Sequence, residues 1–188
     1  MATYNKEKAI REITPLSERD FFYIADRSKS EFTYPIHSHA EYELNFTENA
    51  KGVKRIVGDS VEVIGEYDLH LIACKDLEHV LEQNECQSER VREITIQFSP
   101  DIFEKNFTNK VQFDSIRKML DRAQRGIAFP MSAILKVYPT LSTLSYEEDS
   151  FYAVMKLYKD KKRIYKKLAK CELFVPYTEK IIVSTEFL

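Results

Sequence analysis

Glycine is scarce in this chain, four in 188 residues, and none of them belongs to a GxGxxG, GxxxxGK(S/T) or GxSxG pattern. HExxH is missing as well. Dinucleotide and phosphate loops, nucleophile elbows and zinc-protease helices are therefore excluded at the level of motif. Cysteine is equally thin. Cys74, Cys86 and Cys171 are odd in number and show no CxxC or other metal-type spacing, which argues against a disulfide framework and for a reducing cytoplasm. No stretch approaches the length of a membrane-spanning helix. The N-terminus, MATYNKEKAIREITP, lacks the apolar core of a signal peptide. The expected location is the cytoplasm, with no membrane partner. An excess of either charge is lacking too. A formal net charge of −2 argues against whole-molecule binding to nucleic acid. No repeat of fixed period is visible.

What is present is a globular composition, 44% hydrophobic and 31% charged, at a length that suits one domain with a proper core. The first half, to residue 98, reads as short strands separated by turns. FFYI (21–24) is a plausible strand. Across 37–46 the odd positions His37, His39, Glu41, Glu43 and Asn45 are polar, while the even positions are largely apolar. That alternation predicts one strand with a polar face. TENAKG (47–52) reads as a turn, and VKRIV (53–57), GDS and VEVI (61–64) read as a tight hairpin. DLHLIA (68–73), HVLEQ (79–83) and VREITIQF (91–98) follow, the last with Ile94, Ile96 and Phe98 on one face. Strands this closely spaced predict an antiparallel sandwich or barrel.

The pattern changes at Ser99. Ser99 and Pro100 form a helix start, with a short helix over about 100–107. Phe113, Ile116, Leu120 and Ala123 fall near helical spacing, and Gly126 sits where a C-terminal stop belongs. Further helices are expected over 130–145 and from about Glu148. Strands first and helices after make an α+β chain. The expected division is residues 1–98 as the barrel, 99–170 as a helical region and 171–188 as a tail of no assigned structure. Within KLYKDKKRIYKKLAK (156–170) there are eight Lys or Arg. Such a run reads first as the solvated face of an amphipathic helix carrying Leu157, Ile164 and Leu168, and only second as a nucleic-acid contact.

His37, His39 and Glu43, at i, i+2 and i+6, share one face of the expected strand, and His79 on a neighbouring strand could join them. Neutral imidazoles and a carboxylate suit first-row transition metals, and an open position on such an ion supports hydrolysis or oxygen chemistry. The same residues could equally line a polar cavity or face water. His70 reads as a lone strand histidine, and Cys74 and Cys86 as small hydrophobes or unremarkable surface thiols.

HSHAEYE has the HxHx3E form of the first cupin motif, and YDLHLIACKDLEHVLEQ resembles the second, although ACKDLE holds neither proline nor glycine. Residues 20–155 are similar to the N-terminal cupin domain of AraC-type bacterial transcriptional regulators. The stretches that carry this are PIHSHAEYELNF, GVKRIVGDSVEVIGEYDLHLIA, LEHVLEQ and REITIQFSPDIF. The resemblance implies a cupin-like antiparallel β-sandwich or jelly roll followed by helices, in a protein that is not an enzyme. It also implies a pocket for a small-molecule effector and a homodimer paired through segments 113–125 and 148–170. DNA would be reached only through helix-turn-helix motifs that this sequence does not contain. A fragment, a truncated reading frame and a stand-alone sensor all fit that expectation. The candidate ligand-binding residues are His37, His39, Glu43, His79, Glu41 and Asn45, with no cofactor. The alternative is a metal-dependent cupin enzyme, an isomerase or dioxygenase, in which His37, His39, Glu43 and His79 hold a divalent transition metal.

Overall fold

A computed structural model describes residues 9–17, 20, 22–102, 111–144 and 175–176. The strands are β1 (Ile10–Arg11), β2 (Phe22–Lys29), β3 (His37–Ser38), β4 (Tyr42–Glu48), β5 (Lys54–Val57), β6 (Ser60–Val63), β7 (Tyr67–Ile72), β8 (His79–Glu82) and β9 (Val91–Phe98). Helix α1 (Asp114–Ala123), strand β10 (Ile127–Ala128), helix α2 (Met131–Leu144) and strand β11 (Val175–Pro176) complete the described strands and α-helices. The strands form a five-stranded sheet, β1-β3-β8-β5-β6, and a six-stranded sheet, β11-β10-β7-β4-β9-β2. Apart from the parallel β1–β3 pair, every pairing is antiparallel. The architecture is a cupin-like sandwich with a small helical region.

Period-2 alternation decides where the core lies. The even positions of β4 and β9 and the odd positions of β7 send Leu44, Phe46, Leu69, Leu71, Ile94 and Ile96 to the outer face of the six-stranded sheet. There they pack against Ile116, Met119, Ile134 and Leu141 of the two helices. Burying a side chain such as Phe46 contributes about 2–3 kcal/mol, so the main apolar cluster ties sheet to helices rather than sheet to sheet. The opposite face of the same strands is buried and polar: Glu43, Asn45, Thr47, Asp68, His70, Glu93, Thr95 and Gln97. Polar groups are costly to bury unless bonded, and this inner face is accordingly cross-linked. Asn45 Nδ2 donates to Glu93 Oε1 and Thr95 Oγ1, each at 3.2 Å.

Several local expectations shift. The strand expected over 37–46 is two strands in different sheets, broken at 39–41. His39 bends the chain there, its Nδ1 bonded to the Glu41 carbonyl 3.0 Å away, a local side-chain bond that competes with the ladder. β2 runs on to Lys29 through ADRSK, because all eight of its residues pair with β9. GDS does make a two-residue hairpin turn, with Val57 opposite Ser60 and Gly58 at φ +58°. The helix expected from Pro100 is a 3-10 turn over Pro100–Ile102, and residues 103–107 lie outside the described ones.

The helix expected over 113–125 is α1, and Gly126, at φ +75°, closes it with its N–H on the Ala123 carbonyl at 3.0 Å. Its apolar stripe, Ile116, Met119 and Ala123, is buried on its own sheet, so that stripe is spent within the chain. The segment 148–170 and the tail from 177 lie outside the described residues. Between the helices β10 joins the edge of the six-stranded sheet, pairing Ile127 with Leu71. Among the described residues no helix is long and apolar enough to cross a membrane.

Candidate functional site

The space between the sheets is a cavity of about 410 Å³ whose walls include Glu43, Asn45, His70, His79, Thr95 and Gln97. One end is a histidine cluster. His37 on β3 and His79 on β8 are direct cross-strand partners, their ring centroids 4.3 Å apart. His39, at the corner between the sheets, lies 4.9 Å from His79. Each ring is fixed in the same way: Nδ1 of His37, His39 and His79 bonds the carbonyls of Pro35, Glu41 and Leu77 at 2.9, 3.0 and 2.9 Å. A carbonyl can only accept, so Nδ1 carries the proton and Nε2 is left for the interior.

Glu43 stands among these nitrogens. Its Oε2 is 3.0 Å from His39 Nε2, and its Oε1 is 3.8 Å from His79 Nε2. Gln97 Nε2 donates to Glu43 Oε2 and to Glu12 Oε2, both at 3.1 Å. Glu12 Oε2 lies 3.8 Å from His37 Nε2. The charge states follow from this packing. Burial alone would raise the Glu43 carboxyl, but the hydrogen bond from His39 together with the charges of His79, His39 and His70 outweighs it and holds Glu43 well below the usual carboxylate range. Burial alone would lower His39, yet its bond to Glu43 and that carboxylate's charge raise it. His39 lies between two acceptors, so without a metal it is the protonated partner of Glu43. Burial pushes His79 down to about 3, against the pull of Glu43.

A second polar cluster lies one row further along the inner face. Asp68 accepts from Arg55 and from His70 Nδ1, the latter at 2.9 Å, and Arg55 also pairs with Glu62. Burial works to raise Asp68, but His70 and Arg55 outweigh it, so the carboxyl is lowered. His70 is thereby locked with its Nδ1 proton on Asp68.

Of the residues expected at the site, His37, Glu43, Asn45 and His79 line the cavity. His39 is buried directly behind Glu43. Glu41 is placed elsewhere: its carboxylate accepts from Thr14 Oγ1 at 2.7 Å, because the corner at 39–41 takes it out of the alternation that the continuous strand implied. Glu12, Arg55, Asp68, His70 and Gln97 were missed. For Asp68 and His70, and for Glu93, Thr95 and Gln97, the signal was present: each set alternates with apolar residues as Glu43 and Asn45 do. Glu12 carries no such signal.

The residues fit a divalent transition metal. One ring nitrogen from each of His37, His39 and His79 lies within 4.8 Å of the other two. Donors sharing one ion at ~2.1 Å stand roughly 3–4.2 Å apart, so seating an ion would draw the widest pair together by up to roughly 0.6 Å. His79 Nε2 is buried with no hydrogen-bond partner among the described residues, an orphaned lone pair aimed at Glu43. The backbone bonds on Nδ1 are the outer-shell contacts that orient a ligating imidazole.

No family model matches the chain, and no curated protein matches it in sequence. Among solved structures it is similar to ToxT from Vibrio cholerae, at a TM-score of 0.42 and 11% identity, over 86% of this chain and 61% of that one. ToxT from V. cholerae O395 bound to (E)-4-(8-methylnaphthalen-1-yl)but-3-enoic acid gives 0.43 and 10%, over 86% and 61%. Unsaturated fatty acid-bound wild-type ToxT from strain SCE256 gives 0.41 and 12%, over 85% and 58%. The alignments thus span about three fifths of the length of those chains.

Proposed function

We propose that this chain is the effector-sensing domain of an AraC-type transcriptional regulator, with a small polar molecule bound between its two sheets. One observation carries the reading: the fold places its main apolar core on the helix side of the six-stranded sheet and keeps a polar cavity of about 410 Å³ on the other. Binding sites are concave and carry a few convergent polar groups. Here Asn45 Oδ1 is buried and unbonded among the described residues, an acceptor ready for a ligand hydroxyl or N–H. Dimerisation, and contact with DNA through helix-turn-helix sequence outside this chain, belong to the same proposal.

The test is a thermal-shift panel of monosaccharides, hydroxy acids and small carboxylates, run on the wild type and on Asn45→Leu. A compound at 100 times its Kd stabilises by about 2.7 kcal/mol, a shift of several degrees for a domain of this size. The expected result is a shift in the wild type that Asn45→Leu abolishes. No shift from any compound at millimolar concentration would count against the reading, as would a shift that Asn45→Leu leaves intact.

Three Nε2 positions turned to the interior, that of His79 without a partner among the described residues, favour a second reading, a metal-dependent cupin, in which His37, His39, Glu43 and His79 hold the ion. When bound, the metal supplies a Lewis acid to a ligand oxygen or water. The chain's own part is to orient three rings through the carbonyls of Pro35, Glu41 and Leu77 and to hold Glu43 ionised. Near-stoichiometric metal in protein purified without additions, lost in His39→Ala, is the expected result. Metal-free, folded protein that takes up no Co2+ or Zn2+ on titration would overturn it.

A further inference from the structure

Glu12 reaches the histidine cluster from the N-terminal strand. β1 lies parallel to β3, with Ile10 opposite His37 and Arg11 opposite Ser38. The Glu12 N–H donates to the Ser38 carbonyl at 2.9 Å. This sets the next side chain against the ring of His37, where Glu12 Oε2 stands 3.8 Å from Nε2. The carboxylate is held at both oxygens: Tyr34 donates its hydroxyl to Oε1 at 3.2 Å and Gln97 Nε2 donates to Oε2 at 3.1 Å.

The same Gln97 amide donates to Glu43, so two carboxylates converge on one neutral amide beside three imidazoles. Like charges at such range repel. A divalent cation would relieve that repulsion, matching two negative charges with two positive. The second sign of a missing ligand is independent of the carboxylates: His79 Nε2, buried on the same cluster, has no partner among the described residues.

We propose that Glu12 is an additional metal ligand, so that a divalent transition metal on His37, His39, His79 and Glu43 fastens the N-terminal strand to the sandwich. This rests on the metal reading above. β1 is two residues long. Beyond its two-residue ladder with β3, its backbone is held by the Glu12 bond and the Ile10 N–H on the Ile36 carbonyl at 3.0 Å, and the Arg11 side chain adds bonds to the Lys75 carbonyl and Ser38 Oγ and an ion pair with Asp76. A strand held by so few bonds opens readily, and a bond from Glu12 to an ion seated in the barrel couples that opening to metal occupancy. The site thus gains a regulated wall: Glu12 and Tyr34 both line the cavity, so the metal fixes the segment that borders it.

The test uses Co2+ alone with the full chain, comparing the wild type, Glu12→Gln and Glu12→Asp. Glu12→Gln keeps an acceptor for Tyr34, and a melt without metal checks its folding. One Co2+ per chain is expected in each. Glu12→Gln should weaken the affinity by about 10- to 100-fold and shift the visible d–d bands, and Glu12→Asp should restore part of both. Amide exchange at Ile10 and Glu12 should slow by about tenfold or more when Co2+ binds the wild type, and less in Glu12→Gln.

Unchanged affinity and bands in Glu12→Gln would overturn the proposal and leave the metal reading standing. Co2+ bound to the wild type without slower exchange at Ile10 and Glu12 would do the same, whatever the variants' folding. A wild type that binds no Co2+ would remove the metal reading and this proposal together.

Discussion

Acidifying the metal-free chain from pH 7 to pH 5 should destabilise it, and His79 is the reason. Its imidazole is buried beside Glu43, His37 and His39, with Glu12 and Gln97 completing the cluster. Burial pushes it from 6.5 down to about 3. Below 6.5 the unfolded chain takes up a proton that the folded chain refuses, and each pH unit then costs about 1.4 kcal/mol. Integrated from pH 7 to pH 5 this comes to about 2 kcal/mol.

His39 works in the opposite direction. Its pKa is raised, so its contribution is full below 6.5 and lost as pH rises through the folded value. That offsets part of the His79 effect, whose displacement is the larger. Glu43 and Asp68 are lowered from 4.5 and 3.8. Their contributions are full above those values and fall away only at lower pH, so they add little in this window. Thermal melts in EDTA at pH 7, 6 and 5 should show a fall of about 5 °C that largely disappears in His79→Gln. A melting temperature that is level or higher at pH 5 would refute the reasoning, as would an equal fall in His79→Gln.

Three further outcomes test the fold around the site. Gly52→Ala should cost more than ~2 kcal/mol by urea denaturation, because Gly52 has φ +93° and a Cβ would lie 2.8 Å from the Glu85 carbonyl carbon. An unchanged midpoint would contradict that geometry. Phe46→Ala should lose about 3–5 kcal/mol, while Thr47→Val should be neutral or stabilising, since Phe46 is in the sheet–helix core and Thr47 Oγ1 is buried without a partner among the described residues. Equal losses at both positions would place the core wrongly. Asp68→Ala should cost about 3–5 kcal/mol, because it strips a buried Arg55 of one of its carboxylates and His70 of its Nδ1 acceptor; a loss under ~1 kcal/mol by the same assay would show that the network is not buried as described.

The sandwich was legible where alternation and turn chemistry agreed. VREITIQF gives β9 its observed bounds, and GDS gives a two-residue turn because Gly58 can take positive φ. Alternation misled at 37–46: its period runs unbroken through a corner, and only the His39 side chain, bonding the Glu41 carbonyl, marks the break. Glu41 was lost from the site for that reason. ADRSK has a charged composition poor in β-branched residues, and its strand state is imposed by five cross-strand pairings with β9 that no local reading contains. The spacing of Phe113, Ile116, Leu120 and Ala123 announced a buried helix face, but not that Met119 would join Ile116 and Ala123 as its fully buried residues, nor which surface would bury it. Glu12 was invisible because its place depends on a parallel pairing with residues 37–38, far along the chain.

The six-stranded sheet is one wall with two functions, and the alternation that builds it also joins them. Asn45 faces the cavity and Phe46 the helices; His70 and Leu71, and Thr95 and Ile96, repeat the arrangement. On the helix side the contacts are close-packed and tolerate little displacement, with Tyr138 on α2 also donating to Glu48 at 2.9 Å. On the cavity side the walls are held by hydrogen bonds, several of them incomplete. Binding energy is therefore available on the inner face, where orphaned groups can gain partners, and resistance to movement resides on the outer face. An occupant changes the protein only by the difference in its affinity for two arrangements. In this fold such a difference would have a direct physical route: a movement of β4 that completed a bond at Asn45 would carry Phe46 into, or away from, the helices.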